Sequence, residues 1–457
     1  MTPQKRFFQL AMTLGFICSF APASASHLLD YVGKDSQEAT LSFSARIEVV
    51  QSTEPTMDEA EEMITDQMEF LFGPMSYGEF KAVPKGNYEI KNIVVKRKNR
   101  KVFQATYDVS LPVAIESRVG NSYEVTLPIN TGLIYKQSRV GTKYPCTDDH
   151  YPSEGDFWYF WSPERLGCKL REGKHFQKIK ADVKLIPNTT KTYAEFDQMA
   201  DADGVVKIDM LYGMDKPDEG PWNPDSSSDV NAENYRYVAR KLTAMGFSSK
   251  RLSKEAISEI APENDSDKTP TVDVFEKEYS KTHGRNVNKI VVTMFFGASG
   301  IDEASASFHY FYKRSLEEST MMIYAGHSGL GGHLDLATIE SIRGFSIQPS
   351  KEKYQIYYFN SCTSYTYYNS TYFGRKKNSD DRKGTKNLDI VTNGLATYFS
   401  AIDETNLEMV RIVDDWANGK DSLSYQEMAR KMDSENLIGI NGDEDNPKRV
   451  PEVQNDD

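Results

Sequence analysis

Strand–helix alternation over residues 200–435 predicts an α/β domain, a mostly parallel sheet with helices on both faces. An α+β domain over 26–195 is expected to precede it. Three observations carry this. Runs such as NKIVVTMFFGASG (288–300) are almost continuously apolar, as a strand buried on both sheet faces must be. Amphipathic helical segments stand between those runs. The first 195 residues instead show strands that alternate apolar and polar positions, as in an antiparallel sheet wetted on one side.

In the N-terminal part, LSFSARIEVV places Leu41, Phe43, Ala45, Ile47 and Val49 on one face of a strand. The stretch after it opens with Thr56 and Glu59 in capping-box spacing. Met57, Ala60, Ile64, Met68 and Leu71 then share one helical face. Residues 87–113 read as two strands joined at a basic turn near Asn99, and SYEVTLPI and KIKADVKLIP read as two more. The segment between those two, 143–168, is rich in Pro, Gly and aromatics. Its FWYFW is read as core or contact surface, and His150 beside Asp148 and Asp149 as part of a solvated loop.

From 204 the pattern changes. GVVKIDMLYG is a strand and DKPDEGPWNPDSSSDV a loop. NAENYRYVARKLTAMGF is a helix stopped by Gly246. After a polar stretch come the strand at 288–300, a helix, the strand TMMIYAGHSG, a short helix and the strand YQIYYFNSC. A further strand, NLDIVTNG, leads into helices that end near 432. The segment 436–457 is polar and expected to be a disordered tail.

Residues 1–25 read as a secretory signal. Lys5 and Arg6 form a basic n-region, 7–21 is mostly apolar but short for a bilayer span, and Ala23-Ser24-Ala25 is a small-residue cleavage site. The expectation is an exported protein, periplasmic or secreted, with no stable membrane insertion. A net charge of −13 argues against nucleic-acid backbone and anionic lipid as partners. Of the four cysteines, Cys18 leaves with the signal. Cys146 and Cys168 lie in one loop-rich region where a disulfide would contribute roughly 3 kcal/mol. Cys362 is left over, and in an exported protein it is buried and inert, linked between chains, or reactive.

In a parallel α/β sheet, functional groups collect beyond the carboxyl ends of the strands. Two strands end in reactive side chains, MMIYAG in His327 and YQIYYFNS in Cys362. If these strands are neighbours, an imidazole stands beside a thiol. That pairing serves nucleophilic catalysis, since the imidazole sustains the thiolate and protonates the leaving amine. Backbone amides at Ser328-Gly329 and at Cys362 are candidates for stabilising an oxyanion.

An apolar block ending in Gly-His-Ser-Gly, followed by a second ending in Asn-Ser-Cys, resembles the caspase-like cysteine peptidases, the clan of caspases, legumains, gingipains, clostripain, metacaspases and separases. The order of elements over about 204–400 is similar as well. The resemblance implies His327 as general acid/base, Cys362 as nucleophile, a peptide or protein substrate, and neither metal nor organic cofactor. The N-terminal domain lies outside it. The chain departs from the pattern at Ser328, where the family usually has Gly, and at Asn360, where basic-specific members place an Asp. The charged segment 373–386 sits where caspases carry a processing loop, which would expose Arg375, Lys376 and Lys377 to cleavage.

Competing readings are weaker. A lipase-type elbow at Ser328 needs Gly at 330, where Leu stands, and a histidine far downstream, whereas His333 is the last one. A zinc site of His327, His333 and Asp335 lacks a familiar ligand spacing. The alternative of another class is a catalytically inactive scaffold, or an envelope-binding interaction protein.

Overall fold

The computed structural model describes residues 31–443 apart from 33–35, 86–87, 150, 187–190, 264–267, 281–283, 302–304, 398 and 433–435. The signal expected at 1–25, His150 and the chain beyond 443 lie outside the described residues. The architecture is mixed α/β, built on two sheets. Among the described residues, no helix is long and apolar enough to cross a membrane.

The N-terminal sheet uses β2 (Ser36–Val50), β3 (Ala82–Pro84), β4 (Glu89–Arg97), β5 (Val102–Glu116), β6 (Ser122–Pro128) and β7 (Phe176–Ile186). β2 and β5 pair antiparallel along their whole length, from Ser36 opposite Glu116 to Val50 opposite Val102. The alternation in β2 does what its sequence requires, with Leu41, Phe43, Ala45 and Ile47 buried. β4 and β5 form the hairpin with the basic turn. The helix Met57–Glu69 begins at the expected capping box, with the Thr56 amide donating to Glu59 at 2.7 Å and the Glu59 amide to Thr56 Oγ1 at 3.3 Å. Ala60, Ile64 and Met68 are buried, but Met57 faces solvent. Gln67 joins them instead, fully buried because its amide donates to the Arg46 carbonyl at 3.0 Å and accepts from the Tyr107 hydroxyl.

The larger sheet holds β1 (Tyr31–Val32), β8 (Val205–Gly213), β9 (Ser248–Arg251), β10 (Thr271–Glu278), β11 (Lys289–Gly297), β12 (Met321–Ala325), β13 (Gln355–Asn360), β14 (Leu388–Thr392) and β15 (Gly439–Asn441). Their order across it is β1-β15-β14-β13-β12-β8-β11-β10-β9. The five central strands, β14 to β11, run parallel, and antiparallel strands flank them on both edges. One face packs Met210, Ile323 and Tyr358 against the helices Val230–Ala244, Phe399–Ala417 and Tyr425–Met432. The other packs Leu211, Tyr324 and Phe359 against Ala306–Glu318 and Leu336–Arg343. Burial on both faces explains the continuous apolar runs.

Two expectations are corrected. The polar stretch before β11 contains the β9–β10 ribbon, whose edge position lets β9 be fully exposed and β10 end in charges. The tail expected from 436 does not begin there, because Ile438 and Ile440 are buried and β15 pairs with β14. β1, from the start of the N-terminal segment, pairs in turn with β15.

Candidate active site

β12 and β13 are neighbours, with Ala325 opposite Asn360. His327 and Cys362 therefore stand two residues beyond one rung, at the carboxyl ends of adjacent parallel strands. On the other flank of β12 lies β8, with Tyr212 opposite Ala325, and Asp215 follows its end. Asp215 Oδ1 accepts a hydrogen bond from His327 Nε2 at 2.9 Å. A carboxylate only accepts, so Nε2 carries the proton and Nδ1 is the basic nitrogen of the neutral ring. Both groups are partly exposed, as a site open to substrate requires.

The histidine loop is fixed from beneath. The Tyr324 hydroxyl donates to the His327 carbonyl at 2.8 Å. Gly326 leaves room for that ring, since a Cβ there would stand 2.6 Å from the Tyr324 hydroxyl. Ser328 has ordinary right-handed backbone at φ −84°, so the position does not need glycine. Left-handed backbone begins one residue later, at Gly329, φ +54°, and a Cβ there would lie 2.2 Å from His333 Cδ2. The Ser328 carbonyl accepts from the Gly331 and His333 amides and from the Tyr368 hydroxyl, at 2.9, 3.1 and 3.0 Å. Asp335 is the cap of the helix Leu336–Arg343, accepting from the Thr338 amide at 2.8 Å.

Cys362 carries a free, half-buried thiol. The Thr397 amide donates to its sulfur at 3.4 Å. Burial pushes the thiol up, against the pull of the Thr397 and Cys362 amides. The hydroxyls of Tyr151, Tyr159, Tyr324, Tyr367 and Tyr368 are also raised, first by burial, with the Cys362 charge among the further causes. The sulfur thus sits in an aromatic surround in which its own proton is the favoured state until a base removes it.

Asn360 lies under the site. It is buried, donates to Thr405 Oγ1 and Asn406 Oδ1 at 2.8 Å each, and accepts from Asn393 Nδ2 at 2.7 Å. Asn393 also donates to Thr397 Oγ1 at 2.8 Å, so a chain of amides links Asn360 to the residue that bonds the thiol. With its amide engaged this way, Asn360 supports the Cys362 loop instead of meeting substrate.

The processing loop is a correction of a different kind. Arg375 and Lys376 belong to the helix Asn369–Lys376. Arg375 grips Glu340 with two bonds, at 2.8 and 2.9 Å. Lys376 is buried and donates to the Ser350 and Lys353 carbonyls at 2.6 and 2.8 Å. Only Lys377 is exposed.

The expected disulfide between Cys146 and Cys168 is present, with Cα atoms 4.8 Å apart. The segment it closes reaches the site, where Tyr159 bonds Thr363. Neither Asp215 nor Tyr159 is marked as a site residue by the sequence. Asp215 had a weak signal, an acid two residues beyond the glycine that ends β8. Tyr159 had none, because its partner is 204 positions away. Comparison with known protein families, with curated proteins and with solved structures finds no match.

Proposed function

We propose that the chain is an exported cysteine peptidase of caspase-like type, with Cys362 as nucleophile and His327 as general acid/base. The observation that carries this reading is the Asp215–His327 pair standing beside the Cys362 strand end, delivered by three adjacent parallel strands. Asp215 holds the ring in the tautomer whose Nδ1 can take the thiol proton. The thiolate attacks the scissile carbonyl, forming a tetrahedral oxyanion. Its collapse breaks the C–N bond, and the amine leaves with the proton held by His327. Water then attacks the Cys362 thioester, again with His327 as base, and releases the acid. Amides of the Ser328-Gly329 turn and of Cys362 are the donors offered to the oxyanion.

Because burial raises the Cys362 thiol, His327 is assigned as the general base that takes its proton. The test is turnover of a mixed peptide pool by the full exported chain. Cys362→Ala should abolish cleavage, and His327→Ala should lower kcat by about 10²–10⁴-fold. Cleavage that survives Cys362→Ala, or a wild-type chain that cuts nothing, would favour the scaffold reading.

A further inference from the structure

We propose that the disulfide-closed loop of the N-terminal domain, 146–168, is a working wall of this site, with Tyr159 the residue that positions Cys362. The proposal deepens the peptidase reading and rests on it.

The residue after the nucleophile is the starting point. Thr363 adopts φ +48° and ψ +29°, the left-handed region, and it is buried. A β-branched side chain is disfavoured there and persists only where its surroundings impose it. Two contacts do so. The Thr363 amide donates to the Leu395 carbonyl at 3.0 Å. Its hydroxyl is bonded to the Tyr159 hydroxyl, which comes from the other sheet's side of the molecule. Since Thr363 follows Cys362 directly, holding its backbone holds the direction in which the sulfur points.

The histidine side borders the same cluster. Leu330, three residues after His327 and itself at φ +53°, packs against the buried cluster that holds Tyr159, Tyr365 and Leu395, as do Tyr151 and Trp158. Both catalytic loops therefore border a cluster to which this segment contributes Tyr159. That segment has a firm base, with Cys146, Phe157 and Trp161 in the core. The Ser162 amide donates to the Cys146 carbonyl at 2.8 Å, Thr147 Oγ1 donates to the Phe157 carbonyl at 3.2 Å, and the disulfide closes the segment. The alternate positions 157, 159 and 161 of FWYFW do not share one role: Phe157 and Trp161 anchor the loop, and Tyr159 between them reaches across.

The experiment uses the full chain as wild type, as Tyr159→Phe, and as Tyr123→Phe. The last removes a hydroxyl that donates to the Phe80 carbonyl at 3.1 Å inside the N-terminal domain, away from the site. Two readouts are taken: kcat and KM on a cleaved peptide, and the rate of iodoacetamide alkylation of Cys362 resolved by peptide mapping. Tyr159→Phe should lower kcat by about tenfold with KM little changed, because positioning and not binding is lost. It should also speed alkylation by about fivefold as the loop opens locally. Tyr123→Phe should change neither. Cys146→Ser with Cys168→Ser should act in the same direction as Tyr159→Phe. Unchanged kcat and unchanged alkylation in Tyr159→Phe overturn the proposal. Alkylation needs no turnover, so the two readings separate: faster labelling in Tyr159→Phe of a chain that cleaves nothing supports the wall and removes the peptidase reading.

Discussion

Asp215 shows how one side chain sets the chemistry of another. Its carboxylate bonds the proton-bearing nitrogen of His327 at 2.9 Å, so replacing it by Asn allows the ring to turn its proton toward the thiol. Asp215→Asn should lower kcat by about 10²-fold or more with the fold intact, measured by steady-state cleavage and circular dichroism. Gly329 is the complementary case, where geometry and not charge is at stake. Its φ of +54° and the His333 ring 2.2 Å from a would-be Cβ leave no room for alanine. Gly329→Ala should reduce both thermal stability and turnover, whereas Ser328→Gly, at an ordinary φ, should be tolerated in stability.

At the scale of the elements, the amide network beneath β13 and β14 explains why the Cys362 loop is held. Asn360→Ala removes the buried bonds to Thr405, Asn406 and Asn393 and should cost about 1–3 kcal/mol of stability, read by denaturant unfolding. The helix carrying Arg375 and Lys376 leads to a second expectation. Limited trypsin treatment should cut at exposed Arg382 before Arg375 or Lys376, whose side chains are engaged in the fold. Early cleavage after Arg375 would restore the processing-loop reading. These elements also show what was legible beforehand. The central strands could be read because burial on both faces forces continuous apolar runs, and that in turn located His327 and Cys362. The edge strand β9 could not, because an edge strand needs little apolar surface. Nor could β10, which ends in charges, or β15, which at three residues is too short to show a period. The segment 373–386 reads as a charged loop, yet Lys376 is buried because two backbone carbonyls receive its ammonium.

Across the whole molecule, the two sheets meet at a polar cluster that no local pattern announces. The Tyr365 hydroxyl donates to Glu38 Oε1 at 3.1 Å, Lys85 approaches the same oxygen at 3.5 Å, and the Thr366 hydroxyl donates to the Pro84 carbonyl at 2.9 Å. Burial pushes the Glu38 carboxyl up to about 8, against the pull of Tyr365. A carboxyl whose folded pKa lies above its unfolded value stabilises the fold fully below the unfolded pKa. That contribution is lost as pH rises through the folded one. The contact should therefore weaken between roughly pH 4.5 and 8. Glu38→Gln, which does not titrate, should gain in Tm relative to wild type from pH 5 to pH 9 by scanning calorimetry. A constant difference would mean that Glu38 keeps an ordinary pKa through Lys85.

Whether Cys362 becomes a nucleophile through His327 is read by intact-mass and peptide-mapping analysis of the full chain after exposure, at neutral pH, to a pool of peptidyl acyloxymethyl ketones. Such reagents need both a thiol and a peptide-binding cleft. A single adduct is expected on Cys362 in wild type, lost in His327→Ala and slower to form in Asp215→Asn. An adduct formed equally well without His327, or none at any peptide sequence while iodoacetamide still labels the thiol, would contradict that role of the pair.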